Sequence, residues 1–228
     1  MSSQKQNMFK GIALIVSFTV VLVLLFLPLF NGHNALEFLD NLYNSISKGS
    51  ANYLPSVKAD VQRFQSNSID VTLAMADEKQ ASQTAQLITA AGGRARADGK
   101  QLKIEGDLSG ILSSAIADAE KMYANQGEAV RSKYGFDERR TLFNWWSAFK
   151  AMDFELNKQK QFKEAKLVAL VQNRAIEAAY NYYGIEAQSI RERYGIVIAS
   201  LLFYVVYTLW YGFGVLYLFE GFGLKLGH

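Results

Sequence analysis

The carboxylates that crowd most closely along this chain are Asp98, Glu105 and Asp107. Gathered around a cation, or aimed at a scissile bond, such a trio would supply oxygen ligands or a general acid and base. Their spacing lacks the ligand register of an EF-hand, and turn residues plus a helix cap account for them. Ser113-Ser114 is the other pair of hydroxyls that draws notice, but it falls on an amphipathic stretch with no base in evidence. The chain has no cysteine. That removes disulfides, thiol nucleophiles, thiolate zinc sites and cysteine-ligated clusters, and is compatible with any redox compartment. The two histidines, His33 and His228, both flank apolar stretches, and no carboxylate is spaced to complete a metal site with them. Gly92-Gly93, Gly99 and Gly106 do not follow phosphate-loop spacing, and no Gly-Lys-Ser/Thr occurs. What remains points to recognition. Trp145 and Trp146 beside Arg139 and Arg140 have the composition of an interaction surface, with a core or membrane-facing aromatic cluster as the competing reading. No cofactor is expected.

The frame that must carry these residues is set by two uncharged stretches, Gly11–Phe30 and Ile196–Phe219. Each meets the roughly 20 apolar residues that a membrane-crossing helix needs. The first exceeds the apolar core of a cleaved signal peptide and offers no small-residue cleavage site, so it reads as a retained signal-anchor. Lys5 and Lys10 precede it, and no basic residue follows until Lys48. By the positive-inside rule this places the N-terminus in the cytoplasm. Arg191 and Arg193 before the second stretch, against Lys225 after it, argue the reverse; the first helix usually dominates. The expectation is a two-pass inner (plasma) membrane protein with its middle segment periplasmic or otherwise extracytoplasmic. All but three of the 24 Lys and Arg and all but one of the 21 Asp and Glu lie in that middle segment. It is therefore nearly neutral, without the basic excess that nucleic acid requires.

Within the middle segment, Asn34 and Glu37 have the form of a capping box, and Leu36, Leu39, Tyr43 and Ile46 recur at helical spacing up to Gly49. Ser50 to Pro55 reads as a turn, and residues 31–67 as a membrane-proximal helix and linker. Ile69, Val71 and Leu73 alternate with polar neighbours as in a half-buried strand. Asp77 caps a helix whose apolar face is Ala81, Ala85 and Ile88, and Gly92-Gly93 ends it. Asp98-Gly99 then predicts a type I′ hairpin between two short strands. Asp107 opens a helix striped by Leu108, Ile111, Leu112, Ala115, Ile116, Ala119, Met122 and Tyr123. Strand, helix, strand, strand, helix is most of a ferredoxin-like unit.

From Asp137 to Tyr183 there is no Pro or Gly, and an unbroken helix would be about 70 Å long. Phe143, Trp146, Phe149 and Met152 read as one apolar stripe, and Leu167, Leu170, Val171 and Ile176 as another. The polar run Asn157–Lys166 between them is either a solvated face or a fold-back. The expected fold is an α+β membrane protein, two transmembrane helices flanking a small βαββα module at 68–126 and long helices at 127–195. Arg191, Arg193, Trp210 and Tyr211 are candidate interfacial anchors.

The layout of span, α/β module, long helices and span is similar to that of polysaccharide chain-length regulators, although the loop here is shorter and no proline lies near the second span. The leading expectation is a non-catalytic accessory or scaffold component that holds its middle domain against a partner membrane complex, or against further copies of itself. A subunit of an oligomeric channel or transporter is the alternative. Pore linings usually carry polar or ionisable residues at membrane depth, and neither span carries a charge.

Overall fold

The structure is a computed structural model that describes residues 3–50, 52–64 and 68–224. Lys225 and His228, which entered the orientation and metal arguments, lie outside the described residues. The chain is mostly helical with one small three-stranded antiparallel sheet. It divides into two compact units, Met1–Ser50 with Glu186–His228, and Ala51–Ile185. The boundary expected at 126/127 does not coincide with a break between these units.

In the first unit, helices α1 (Ser3–Phe26) and α10 (Ile190–Gly221) are both long and apolar enough to cross a membrane. They pack antiparallel, and glycines permit the approach. A Cβ on Gly11 would lie 2.7 Å from the Leu218 nitrogen, and one on Gly214 would lie 2.8 Å from Ile15 Cδ1. The α10 aromatics fill the seam. Tyr207 stacks on Phe18 with centroids 4.2 Å apart, and its hydroxyl donates to the Phe18 carbonyl at 3.2 Å. Trp210 Nε1 donates to the Leu14 carbonyl at 3.1 Å. At the far end of the pair Asn7 donates to Glu220 at 2.9 Å.

Helix α1 stops at Phe26, four residues short of the apolar stretch. Pro28 disfavours helical backbone at Leu27 and brings no N–H of its own. Asn31 and Gly32 then both take positive φ, 53° and 86°, while Phe30 and His33 exchange two backbone hydrogen bonds of 3.0 Å. Asn-Gly is the residue pair such a tight turn selects. Helix α2 (Ala35–Ser50) follows, with the capping box in place. The Glu37 N–H donates to Asn34 Oδ1 at 2.9 Å, and the Asn34 N–H to Glu37 Oε2 at 3.3 Å. Its buried face is Ala35, Leu42, Ser45 and Ile46, while Leu36 and Tyr43 face outward. Helix α10 begins only at Ile190, capped by Ser189, so the lead-in at 185–189 is not helical.

The second unit has one hydrophobic core running from Leu54 to Ala179. Helix α3 (Leu54–Arg63) occupies what sequence alone suggests is turn and linker. Pro55 in its first turn suits a helix start, and Leu54, Val57 and Val61 point inward. Strand β1 (Ser68–Ala74), helix α4 (Glu78–Ala90), strands β2 (Arg94–Asp98) and β3 (Gln101–Asp107) and helix α5 (Leu108–Tyr123) come next. The sheet order is β1-β3-β2, so the α4 crossover leaves room for β3 between the strands it joins. Register pairs Val71 with Ile104 and Leu73 with Leu102. Alternation puts Ile69, Val71, Leu73, Leu102 and Ile104 on the core face. The apolar stripe expected on α5 is buried throughout.

The hairpin is shifted by one residue from its expected place. Asp98 pairs with Gln101, so the two loop residues are Gly99 and Lys100. Gly99 has φ 55° and Lys100 does not have positive φ, which fits a type II′ turn with glycine first rather than type I′.

Helices α6 (Gly127–Tyr134), α7 (Glu138–Lys158) and α8 (Phe162–Val171) complete the unit, α8 continuing through a π-helical turn at Gln172–Ile176 into α9 (Glu177–Tyr182). The 137–183 stretch is thus not one rod. It folds back at Gln159–Gln161, where Lys160 adopts φ 61°. Gln159 Nε2 donates to the Asp70 carbonyl at 2.9 Å, so a side chain occupies part of the free edge of β1.

Candidate interaction surface

Four side chains nominated by composition, Arg139, Arg140, Trp145 and Trp146, sit on α7, but the helix divides them. At 3.6 residues per turn each step of three lags by about 60°, so residues nine apart face opposite ways. Phe143 and Met152 therefore cannot share a stripe. The buried face is Leu142, Trp145, Phe149, Met152 and Leu156. Trp145 is wholly buried, and its assignment to an exposed surface is corrected.

Trp145 anchors a buried polar node. Asp118 on α5, 0 % exposed, accepts from Trp145 Nε1 at 3.0 Å, from the Tyr134 hydroxyl at 2.6 Å and from Lys133 Nζ at 2.9 Å. A buried carboxylate is tolerable when donors surround it, and here α6 and α7 supply three. Burial pushes the Tyr134 phenol well above its usual range, with the hydrogen bond to Asp118 acting the same way.

The outward side of α7 is different in kind. Phe143 is 40 % and Phe154 61 % exposed, and Trp146 lies half-buried between them. Tyr180 of α9 adds a further exposed ring. Phe143 and Trp146 line two clefts at once. The smaller, about 310 Å³, is walled by Glu177, Tyr180 and Asn181. The larger, about 630 Å³, runs along α7 to Phe154 and Lys158, with Met75 at the end of β1 as its opposite wall. Trp146 Nε1 donates to Glu177 Oε2 at 3.2 Å, which fixes the ring at the junction.

Cations lie over these rings. The Arg140 guanidinium is 5.4 Å from the Phe143 centroid, Lys150 Nζ is 5.0 Å from that of Trp146, and Arg139 is 5.7 Å from that of Tyr180. Arg139 also donates to the Tyr183 carbonyl at 3.2 Å, and Arg140 to Gln83 at 3.4 Å. Arg139, Arg140 and Trp146 thus belong with Phe143, Phe154, Lys150 and Tyr180, which sequence reasoning did not assign to a surface. The i, i+4, i+7, i+11 spacing of Phe143, Ser147, Lys150 and Phe154 was the available signal.

Beneath the far end of this surface, Glu138 accepts from Arg131 at 2.8 Å and from the Tyr183 hydroxyl at 2.9 Å. Burial raises the Glu138 carboxyl, but these donors and its own backbone N–H outweigh that and hold it below the usual carboxylate range. Asn125, at φ 59°, accepts from the Gly184 N–H at 2.8 Å and donates to the Ile185 carbonyl at 3.0 Å.

The candidate acidic trio has dispersed into separate structural tasks. Asp107 caps α5 by accepting from the Gly110 N–H at 2.9 Å. Glu105 is ion-paired with Lys103 at 2.5 Å on the exposed sheet face, and Asp98 closes the hairpin. Asp107 lies opposite Ser68 in the β1–β3 register, whereas Glu105 lies opposite Asp70 and Arg94. His33 sits 3.3 Å from Glu37 on the surface of the first unit.

Of the candidate interfacial anchors, Arg191 and Arg193 are exposed in the first turn of α10, Arg193 donating to Gln188 at 2.8 Å. Trp210 and Tyr211 lie elsewhere. They fall about 14 Å from the Phe219 end of the uncharged stretch. Trp210 is bonded to α1, and Tyr211 sits 5.2 Å from Phe18. Trp210 belongs to the helix–helix seam, while Tyr211 flanks it and is 51 % exposed. Compared with known proteins, the chain matches no protein family, no curated protein and no solved structure.

Proposed function

We propose that this chain is a non-catalytic two-span membrane protein whose middle unit serves as a docking module for a protein partner. The observation that carries the reading is the aromatic groove on α7 and α9, where Phe143, Trp146, Phe154 and Tyr180 gather at the surface and line adjoining clefts, whereas the unit's other exposed rings, Tyr53 and Phe162, line neither. Aromatic side chains ringed by polar groups are the usual anchors of protein interfaces. The lengths and outward apolar faces of α1 and α10 support membrane insertion. Lys5 and Lys10 support a cytoplasmic N-terminus with the middle unit on the extracytoplasmic side of an inner membrane. The β1-α4-β2-β3-α5 path supports reading the sheet region as a three-stranded ferredoxin-like unit onto which α6–α9 have been built. Such a scaffold takes its function from its surface rather than its topology.

The test is purification of the full chain from mild detergent. A stoichiometric partner should be lost from the double variant Phe143→Ala/Phe154→Ala, and kept by Lys103→Ala on the exposed sheet face. Retention by both variants would sink the docking reading. Orientation is checked by a phosphatase fused after Gln126, which should be active only if residues around it lie outside the cytoplasm.

A further inference from the structure

The chemistry of the occupant can be read from the charges around the α7 groove, an inference that rests on the docking reading above. From Phe143 to Phe154 the groove follows about 16 Å of helix axis, three turns. Its walls are mostly side chains of α7 and α9, and the edge strand β1 reaches it only at its last residue, Ala74, with Met75 and Ala76 beyond, so little strand edge is offered to an extended peptide. A ligand that satisfies its own backbone, a helix, fits such a groove better than a strand.

Charge decides the class of helix. Arg139, Arg140 and Lys150 lie over rings of the groove, and no salt bridge among the described residues engages any of them. Two acidic groups line the groove, fewer than the three cations over its rings. Glu177 accepts from Trp146, and Glu155 pairs with Lys158 at 2.8 Å. Any apolar segment laid over Phe143, Trp146 and Phe154 takes three cations partly out of water, and a desolvated charge without a partner is costly. A segment that brings its own carboxylates removes that cost and gains charge-assisted bonds to guanidinium. A basic segment meets like charge from Arg139, Arg140 and Lys150, against the single unpaired carboxylate of Glu177.

We propose that the α7 groove binds an acidic amphipathic helix of a partner protein, its apolar side chains on Phe143, Trp146 and Phe154 and its carboxylates on Arg139, Arg140 and Lys150.

The experiment pans a displayed library of random peptides, each about four helical turns long, against the full chain in nanodiscs. The enriched sequences should carry Asp or Glu together with apolar residues at i, i+3 or i+4, and i+7. The tightest synthetic peptide should bind about tenfold or more weakly to Lys150→Glu, and also to Trp146→Ala. Its affinity should fall as salt rises from about 50 to about 500 mM. Lys150 is exposed, so an unchanged melting temperature will show that this variant folds; Lys150→Gln should give an intermediate loss. Enriched peptides that are neutral or basic, or indifferent to Lys150→Glu while lost with Trp146→Ala, overturn the acidic assignment and leave the docking surface standing. Peptides indifferent to Trp146→Ala, Phe143→Ala and Phe154→Ala overturn both.

Discussion

Trp145 Nε1 donates to Asp118 Oδ2 at 3.0 Å, so a tryptophan from α7 satisfies a fully buried carboxylate on α5. Its neighbour Trp146 turns its own Nε1 outward to Glu177. Two adjacent, chemically identical side chains thus hold the core and the surface of one helix, and their replacements should have opposite consequences.

Asp118→Ala strands the Trp145 indole and removes the carboxylate acceptor of the Tyr134 hydroxyl. The expected loss is about 3 kcal/mol of stability. Trp145→Phe removes one donor and some volume and should cost about 2 kcal/mol. Trp146→Phe should stay within about 0.5 kcal/mol of the original chain. Thermal melts of the full chain in detergent, followed by circular dichroism, rank the three. A Trp146→Phe variant as unstable as Trp145→Phe would show that the two rings are not divided in this way.

What the sequence made legible, and what it hid, follows from the range over which each signal acts. Caps are local, and Asn34, Asp77 and Asp107 each accept the backbone hydrogen bond that caps require. The α5 stripe was also clear, because its apolar residues mix steps of three and four and so stay on one face. The stripe assigned to Phe143, Trp146, Phe149 and Met152 uses steps of three alone and winds half-way round the helix. Helix α3 was missed although Pro55, Val57 and Val61 carry its signal, since ten residues are too few for periodicity to stand out from a turn. The fold-back at Lys160 lacks glycine or proline, and only tertiary packing of α8 on α7 selects the positive φ there. Trp145 and Trp146 could not be told apart by composition. The partner that distinguishes them, Asp118, lies 27 residues away in sequence.

The Tyr134 phenol predicts an alkaline limb of stability. Burial, then the bond to Asp118 and that carboxylate's charge, raise it above its ordinary value of 10.0. The fold holds the proton that the unfolded chain releases. The corresponding stability is therefore whole below about pH 10 and is lost as pH rises beyond it. Melting temperatures should decline between about pH 10 and 11.5. In Tyr134→Phe, which starts lower because it lacks the hydroxyl, the decline should be shallower by up to about 1.4 kcal/mol per pH unit. Parallel curves for the two proteins would mean that Tyr134 ionises equally in both states.

The hairpin correction replaces Asp98 by Lys100 as the other loop residue and leaves Gly99 the critical one. Gly99 takes φ 55° at the first loop position, where a β-branched side chain is strained, whereas Lys100 has no such demand. Gly99→Val should destabilise by about 1–3 kcal/mol. Lys100→Val should be milder. Equal effects in urea melts would show that Lys100 is as constrained as Gly99, against the type II′ assignment.

Within α10, two glycines two residues apart make opposite predictions about the helix pair. A Cβ on Gly214 would meet Ile15 Cδ1 at 2.8 Å and Leu14 Cβ at 3.4 Å, while one on Gly212 meets nothing within 4 Å. In the proposed membrane setting there is no hydrophobic drive between helices, so close packing and a few hydrogen bonds hold α1 to α10, and small residues set how near they come. Gly214→Ile pushes the helices apart and weakens the bond from Trp210 to the Leu14 carbonyl one turn away. Gly212→Ile adds an apolar side chain on the outer face. Paired cysteines introduced at Phe18 and Tyr207, whose rings stack at 4.2 Å, provide the readout. Oxidative cross-linking of that pair in the membrane should fall several-fold with Gly214→Ile and remain unchanged with Gly212→Ile. If Gly212→Ile abolishes it and Gly214→Ile does not, α10 presents the other face to α1.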